Sequence, residues 1–141
     1  MNKKTQELME MLQTGSLPLE TYLQENREEL LDLPLWQVLN QLLGEYAVTK
    51  GEGIRRSGLN PVYGYQIFAG TRAPGRNKLL ALCFAFPLSL EKTQRLLRLG
   101  AVGELYPRRK RDCALIFGLQ QGLTVLEMDD LLYSLGEETL L

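Results

Sequence analysis

Between Thr49 and Arg111 the chain holds thirteen Lys and Arg residues against only Glu52, Glu91 and Glu104, a net charge of +10. Residues 1–48 carry −5 and residues 112–141 carry −6, so the overall charge of −1 conceals a basic centre between two acidic ends. Cations gathered in this way attract polyanions, and nucleic acid is the first partner to expect. Within the centre, Pro107-Arg-Arg-Lys-Arg111 reads as a flexible basic linker able to lie along phosphates through Arg108, Arg109, Lys110 and Arg111. Other chemistry is poorly supplied. The chain has no histidine, the commonest general base and metal ligand. Its two cysteines, Cys83 and Cys113, make neither a zinc set nor a disulfide framework; both lie in apolar helical stretches and read as small buried hydrophobes. There is no phosphate-cradling Gly loop ending in Lys-Ser/Thr and no Gly-x-Ser-x-Gly. Glu127, Asp129 and Asp130 share one helical segment without the alternating spacing of a calcium loop. No enzymatic activity, metal site or cofactor is expected.

A length of 141 residues suits a domain of ordinary size, and a composition 45% apolar and 23% charged is that of a globular protein. The longest apolar run, Leu79 to Leu88, is far short of a membrane span. Met1-Asn-Lys-Lys is followed by Thr-Gln-Glu rather than by the apolar stretch of a signal peptide. A cytoplasmic location with no membrane partner is therefore expected.

The elements that must position the cations are helices. Apolar spacing predicts helices from Lys3 to about Gln13, stopped by Gly15, and from Pro18 to about Leu31. Pro34 opens a third, with Leu35, Val38, Leu39, Leu42 and Leu43 on one face, running to about Ala47. Thr49 caps a helix over Lys50–Ser57, and Gly58 suits a left-handed stop. Asn60 caps the next helix, Pro61 fits its first turn, and Gly70 ends it near Ala69. Further helices are expected over Arg76–Ala85 and Leu90–Leu99. The pattern then echoes itself at an offset of 35 residues, pairing Arg76-Asn77 with Arg111-Asp112 and Leu96-Leu97 with Leu131-Leu132. This implies a second helical hairpin, reached through a linker over residues 101–110. Trp36, Tyr46, Phe84, Phe86 and Phe117 read as core.

From Gly58 to Pro74 the sequence resembles the Xre/Cro family of helix-turn-helix domains, the fold of lambda-type phage repressors. The resemblance rests on Gly58, Asn60, Ile67-Phe68-Ala69-Gly70 and Pro74, on Lys78-Leu-Leu-Ala-Leu, and on Ser89-Leu-Glu91; it spans about residues 35–99. It implies an all-α protein: a five-helix core over 34–100, an N-terminal helical extension over 1–33, and a basic linker and helical hairpin over 101–141 packed on that core. It also implies a transcriptional regulator whose third core helix, about 60–69, lies in the major groove of double-stranded DNA. Asn60, Pro61, Val62, Tyr63, Tyr65 and Gln66 would then face the bases, with Val62 suited to a thymine methyl and Gln66 to adenine. Thr49 and Lys50, with Arg55, Arg72, Arg76 and Lys78, would meet phosphates. Two positions depart from the family pattern. Gly53 stands where an apolar residue is usual and should leave a packing gap; Gly64 implies either a close helix approach or a weaker helix.

Domains of this type often act in pairs, and the leucine-rich C-terminal segment suits a homodimer interface. The alternative reading is a helical module on the same scaffold that binds a protein partner and no longer reads DNA.

Overall fold

The computed structural model describes residues 3–141. Among them every regular element is helical: α1 (Lys3–Thr14), α2 (Leu19–Glu25), a 3₁₀ turn (Arg27–Glu29), α3 (Leu35–Glu45), α4 (Lys50–Ser57), α5 (Pro61–Ala69), α6 (Arg76–Ala85), α7 (Leu90–Leu99), α8 (Lys110–Gln121) and α9 (Val125–Ser134). The protein is all-α, and no helix is long and apolar enough to cross a membrane. The described residues up to Asp32, and residues 33–141, form two compact units.

In the first unit, α1 packs on α2. The helix expected to reach Leu31 stops at Glu25, where Asn26 turns its side-chain amide back to the Tyr22 carbonyl (3.0 Å) and the chain continues as the 3₁₀ turn. A side chain that satisfies the last carbonyls in this way competes with continuation of the helix.

The second unit is organised around α6, which packs against α4, α7 and α9. All seven residues from Leu79 to Ala85 are buried. A helix apolar on every side must be surrounded, and here α4, α7 and α9 pack around it. Cys83 lies inside it, and burial pushes its thiol up to about 12, so it packs as an inert hydrophobe. Helix α3 contributes Val38, Leu39 and Leu42 to the core, as its periodicity requires. Asn40 ties α3 to the end of α5, donating to the Trp36 (2.7 Å) and Phe68 (2.8 Å) carbonyls. One of the orphan carbonyls at the α5 C-terminus is thereby satisfied.

Both unusual glycines are contact points. A Cβ on Gly53 would lie 3.2 Å from the tip of the Phe86 ring, so the expected gap is filled from α6's end. A Cβ on Gly64 would lie 2.6 Å from Ile54 Cγ2, so α5 approaches α4 closely. Ile54 is buried and β-branched and has little freedom to move aside. Gly64→Ala should therefore destabilise the fold by about 1–3 kcal/mol in urea denaturation, despite the higher helix propensity of alanine. A stability gain would refute this reading of the contact.

Three residues expected in the core are exposed. Helix α8 buries Asp112, Ala114, Leu115 and Gly118, which turns Cys113 and Phe117, one helical turn apart, to the opposite face. Trp36 lies in the first turn of α3 with its indole against Gly70 and is 43% exposed.

Candidate nucleic-acid interface

Helices α4 and α5 are joined by Gly58, Leu59 and Asn60. The Thr49 hydroxyl caps α4 by accepting from the Glu52 N–H (3.1 Å). Gly58 closes the helix at φ 74°, a left-handed conformation that L side chains disfavour. Ser57 and the buried Leu59 fix the turn: the Ser57 hydroxyl donates to the Ile54 carbonyl (2.6 Å) and accepts from the Leu59 N–H (3.2 Å). Asn60 Oδ1 then accepts from the N–H groups of Val62 (3.0 Å) and Tyr63 (3.4 Å). The capping expected for Thr49, Asn60 and Pro61 is thus the geometry found.

Gly64, Ile67 and Phe68 are the buried side of α5. Helical spacing puts Val62, Gln66 and Ala69 on the opposite side, where Val62 is 67% exposed. The two tyrosines border this outer face. Tyr65 leans over the first turn of α4, where a Cβ on Gly51 would lie 3.1 Å from its hydroxyl. Tyr63 lies on the other border. Its ring carries the Arg72 guanidinium 5.0 Å from its centroid and the Lys78 ammonium at 5.1 Å. Such cation–π contacts hold charges in place without neutralising them. Arg72 Nε also donates to Gln66 Oε1 (2.9 Å), orienting that amide. The outer face of α5 is therefore flanked across Tyr63 by Arg72 and Lys78, while Lys50 lies in the first turn of α4.

Other cations expected at phosphates have partners inside the protein. Arg55 and Arg56 both bond Glu52, Arg55 through Nε at 2.8 Å and Arg56 through Nε at 3.0 Å. These bonds hold the Glu52 carboxyl down at about 2. Arg76 is the most heavily engaged of them. Its guanidinium grips Asp112 through two bonds of 2.9 Å and donates to the carbonyls of Gly103 (3.2 Å) and Glu104 (2.9 Å). It ties the start of α6 to α8 and to the segment before it. Lys110 donates to the Leu135 carbonyl (2.9 Å), with Glu137 at 3.9 Å. Arg111 donates to the Glu138 carbonyl (2.9 Å) and to Asn77 Oδ1 (2.8 Å). The basic run is thus divided, with Arg108 and Arg109 exposed while Lys110 and Arg111 hold the segment after α9.

The 35-residue echo contains a signal for this arrangement. Arg76 bonds Asp112, and Arg111 bonds Asn77, so each echoed Arg reaches the residue after its counterpart. The first turns of α6 and α8 are joined by a reciprocal pair of contacts. The echo aligns these residues, but alignment in register does not reveal that the two copies face one another.

Compared with protein-family models, curated proteins and solved structures, the chain shows no match.

Proposed function

We propose that the protein is a helix-turn-helix DNA-binding regulator of transcription, with α3 to α7 as a lambda-repressor-like core of the Xre/Cro type and α5 as the helix that enters the major groove. The observation that carries this reading is the flanking of α5. Arg72 and Lys78 border its outer face across Tyr63 with no carboxylate partner among the described residues, while the ion pairs of the basic centre involve other cations. A groove-reading helix needs cations beside it for the two phosphate strands and neutral side chains along its crest. Val62 offers a methyl surface for thymine, Gln66 an amide already oriented by Arg72, and Tyr65 a hydroxyl at the border. Asn60 and Pro61 shape the entering end of the helix; Tyr63 acts through the cations it carries. Exposed Leu126 and Tyr133, one face of α9, are available for pairing two copies on a symmetric site.

A second reading is favoured by one feature: the crest is largely apolar, with Val62 and Tyr65 exposed and Trp36 beside the end of α5. Such a surface also suits a helical protein partner.

Fluorescence anisotropy against random-sequence and genomic duplexes across a salt series separates the two. The DNA reading predicts salt-sensitive binding with some fragments preferred about a thousandfold. No duplex binding at low salt, with a stoichiometric protein partner recovered in a pull-down, would establish the second reading instead.

A further inference from the structure

The segment between α7 and α8 has a construction at odds with the flexible linker that its composition suggests. Gln94 brackets Leu105 from both sides, donating to its carbonyl (2.9 Å) and accepting from its N–H (2.7 Å). The Leu105 side chain is buried. Arg98 pairs with Glu104 at 2.7 Å. Arg76 spans the Gly103 and Glu104 carbonyls and Asp112, and Asp112 also accepts the Tyr106 N–H at 2.9 Å. A tight turn follows. The Arg109 N–H donates to the Tyr106 carbonyl (3.1 Å), Pro107 occupies the second position, and the Cys113 thiol donates to the Pro107 carbonyl (3.0 Å).

Beside Pro107, this turn exposes Tyr106, Arg108 and Arg109. The two arginines make no side-chain hydrogen bond or ion pair among the described residues, whereas Lys110 and Arg111 beside them are engaged. Two free guanidiniums and a phenol on a fixed turn fit phosphodiester oxygens, which Arg recognises through paired N–H donors. Because the turn is already ordered, little conformational entropy is lost on binding. The anchor also relates the turn to α5: Arg76, which holds the turn, and Lys78, which lies over Tyr63, share the first turn of α6.

We infer that Tyr106, Arg108 and Arg109 form a second phosphate-binding site, held in fixed relation to α5 by the Arg76–Asp112 pair, that grips the duplex backbone apart from the α5 face. The inference rests on the DNA reading above and adds a separate contact to it. Arg76 and Asp112 are positioning residues of this site.

The test is a salt series of duplex binding with the full chain, using a selected and a scrambled duplex. Arg108→Ala/Arg109→Ala removes two exposed side chains and leaves every anchoring bond in place. Its log–log salt slope should fall by about 1.8, with the preference between the two duplexes unchanged. Asp112→Asn supplies a second readout, with helicity checked by circular dichroism. It removes a negative charge yet should weaken binding, because the turn loses its anchor; a purely electrostatic effect would tighten binding. An unchanged slope in the double variant, while Arg72→Ala/Lys78→Ala flattens its own, would overturn this site and leave the α5 reading standing. Tighter binding by Asp112→Asn would overturn the positioning role. Absence of duplex binding by the wild-type chain at low salt would remove both readings together.

Discussion

Asp112→Ala is expected to lower the free energy of unfolding by about 3 kcal/mol, measured by urea denaturation at neutral pH. The Asp112 side chain is 3% exposed and that of Arg76 25% exposed. Removing the carboxylate strands a partly buried guanidinium that also holds the 103–104 carbonyls, and frees the Tyr106 N–H. The partial exposure of Arg76 puts the effect near the lower end of what breaking a buried pair costs. A matched control is Arg56→Ala, whose exposed pairing with Glu52 should be worth about 1 kcal/mol or less. The pH dependence has a definite sign. Burial pushes the Asp112 carboxyl up, but the Arg76 hydrogen bonds, the Tyr106 N–H and the charges of Arg76 and Arg111 together outweigh it and hold the group below its ordinary value. Its contribution is therefore complete above the unfolded value of about 3.9 and fades as pH falls through the lower folded value. The stability gap between wild type and variant should stay level near neutrality and narrow below about pH 4. A gap that persisted unchanged into acid would contradict the assignment.

The second large effect concerns binding. Arg72→Ala/Lys78→Ala is expected to reduce duplex affinity on the order of 60-fold at about 0.1 M salt, since each lost phosphate contact forfeits the release of roughly 0.9 of a counterion. The phosphate part of this loss should apply to all sequences, because phosphate contacts carry no base information, while the loss of Arg72 also releases the Gln66 amide and should relax sequence preference. Both side chains rest on the Tyr63 ring, so neither replacement empties the core. Lys92→Ala is the comparison: its ammonium lies near Glu45 (3.5 Å) and the Tyr46 hydroxyl (3.4 Å), and its loss should leave affinity nearly unchanged. Equal affinities for wild type and the Arg72/Lys78 variant would mean that these cations do not border the bound duplex.

Much of the fold was legible because its signals are local. Thr49, Gly58, Asn60, Pro61 and Gly70 each mark a helix end through a side-chain or backbone requirement that acts within a few residues. Apolar spacing likewise located α3. The misreadings arose where a partner far along the chain decides the outcome. Phe117 and Trp36 are large and apolar, and only the packing of α8 and α3 shows that they face outward. Charge counting treated the Lys and Arg residues as equivalent. Arg76 and Asp112 lie 36 positions apart, and Arg111 and Asn77 lie 34, so their pairing is invisible to a local reading. The same limit made residues 101–110 read as a flexible linker, because Gln94 and Arg76, which order it, belong to other helices. For the α5 face, the resemblance implied which residues look outward; Val62 and Tyr65 are exposed, whereas Tyr63 and Gln66 are half-buried. That Tyr63 gathers Arg72 and Lys78 on one border requires the tertiary arrangement.

The central claim is that α5 enters the groove of a duplex between its flanking cations. The most direct measurement is an NMR titration of the labelled chain with a selected duplex at low salt, following backbone amides and the Arg and Lys side chains. The account predicts perturbations concentrated at residues 49–51, 60–66 and 72–78, with the buried side of α5 little changed. Perturbations confined to α9, or none while the protein remains folded, would contradict it.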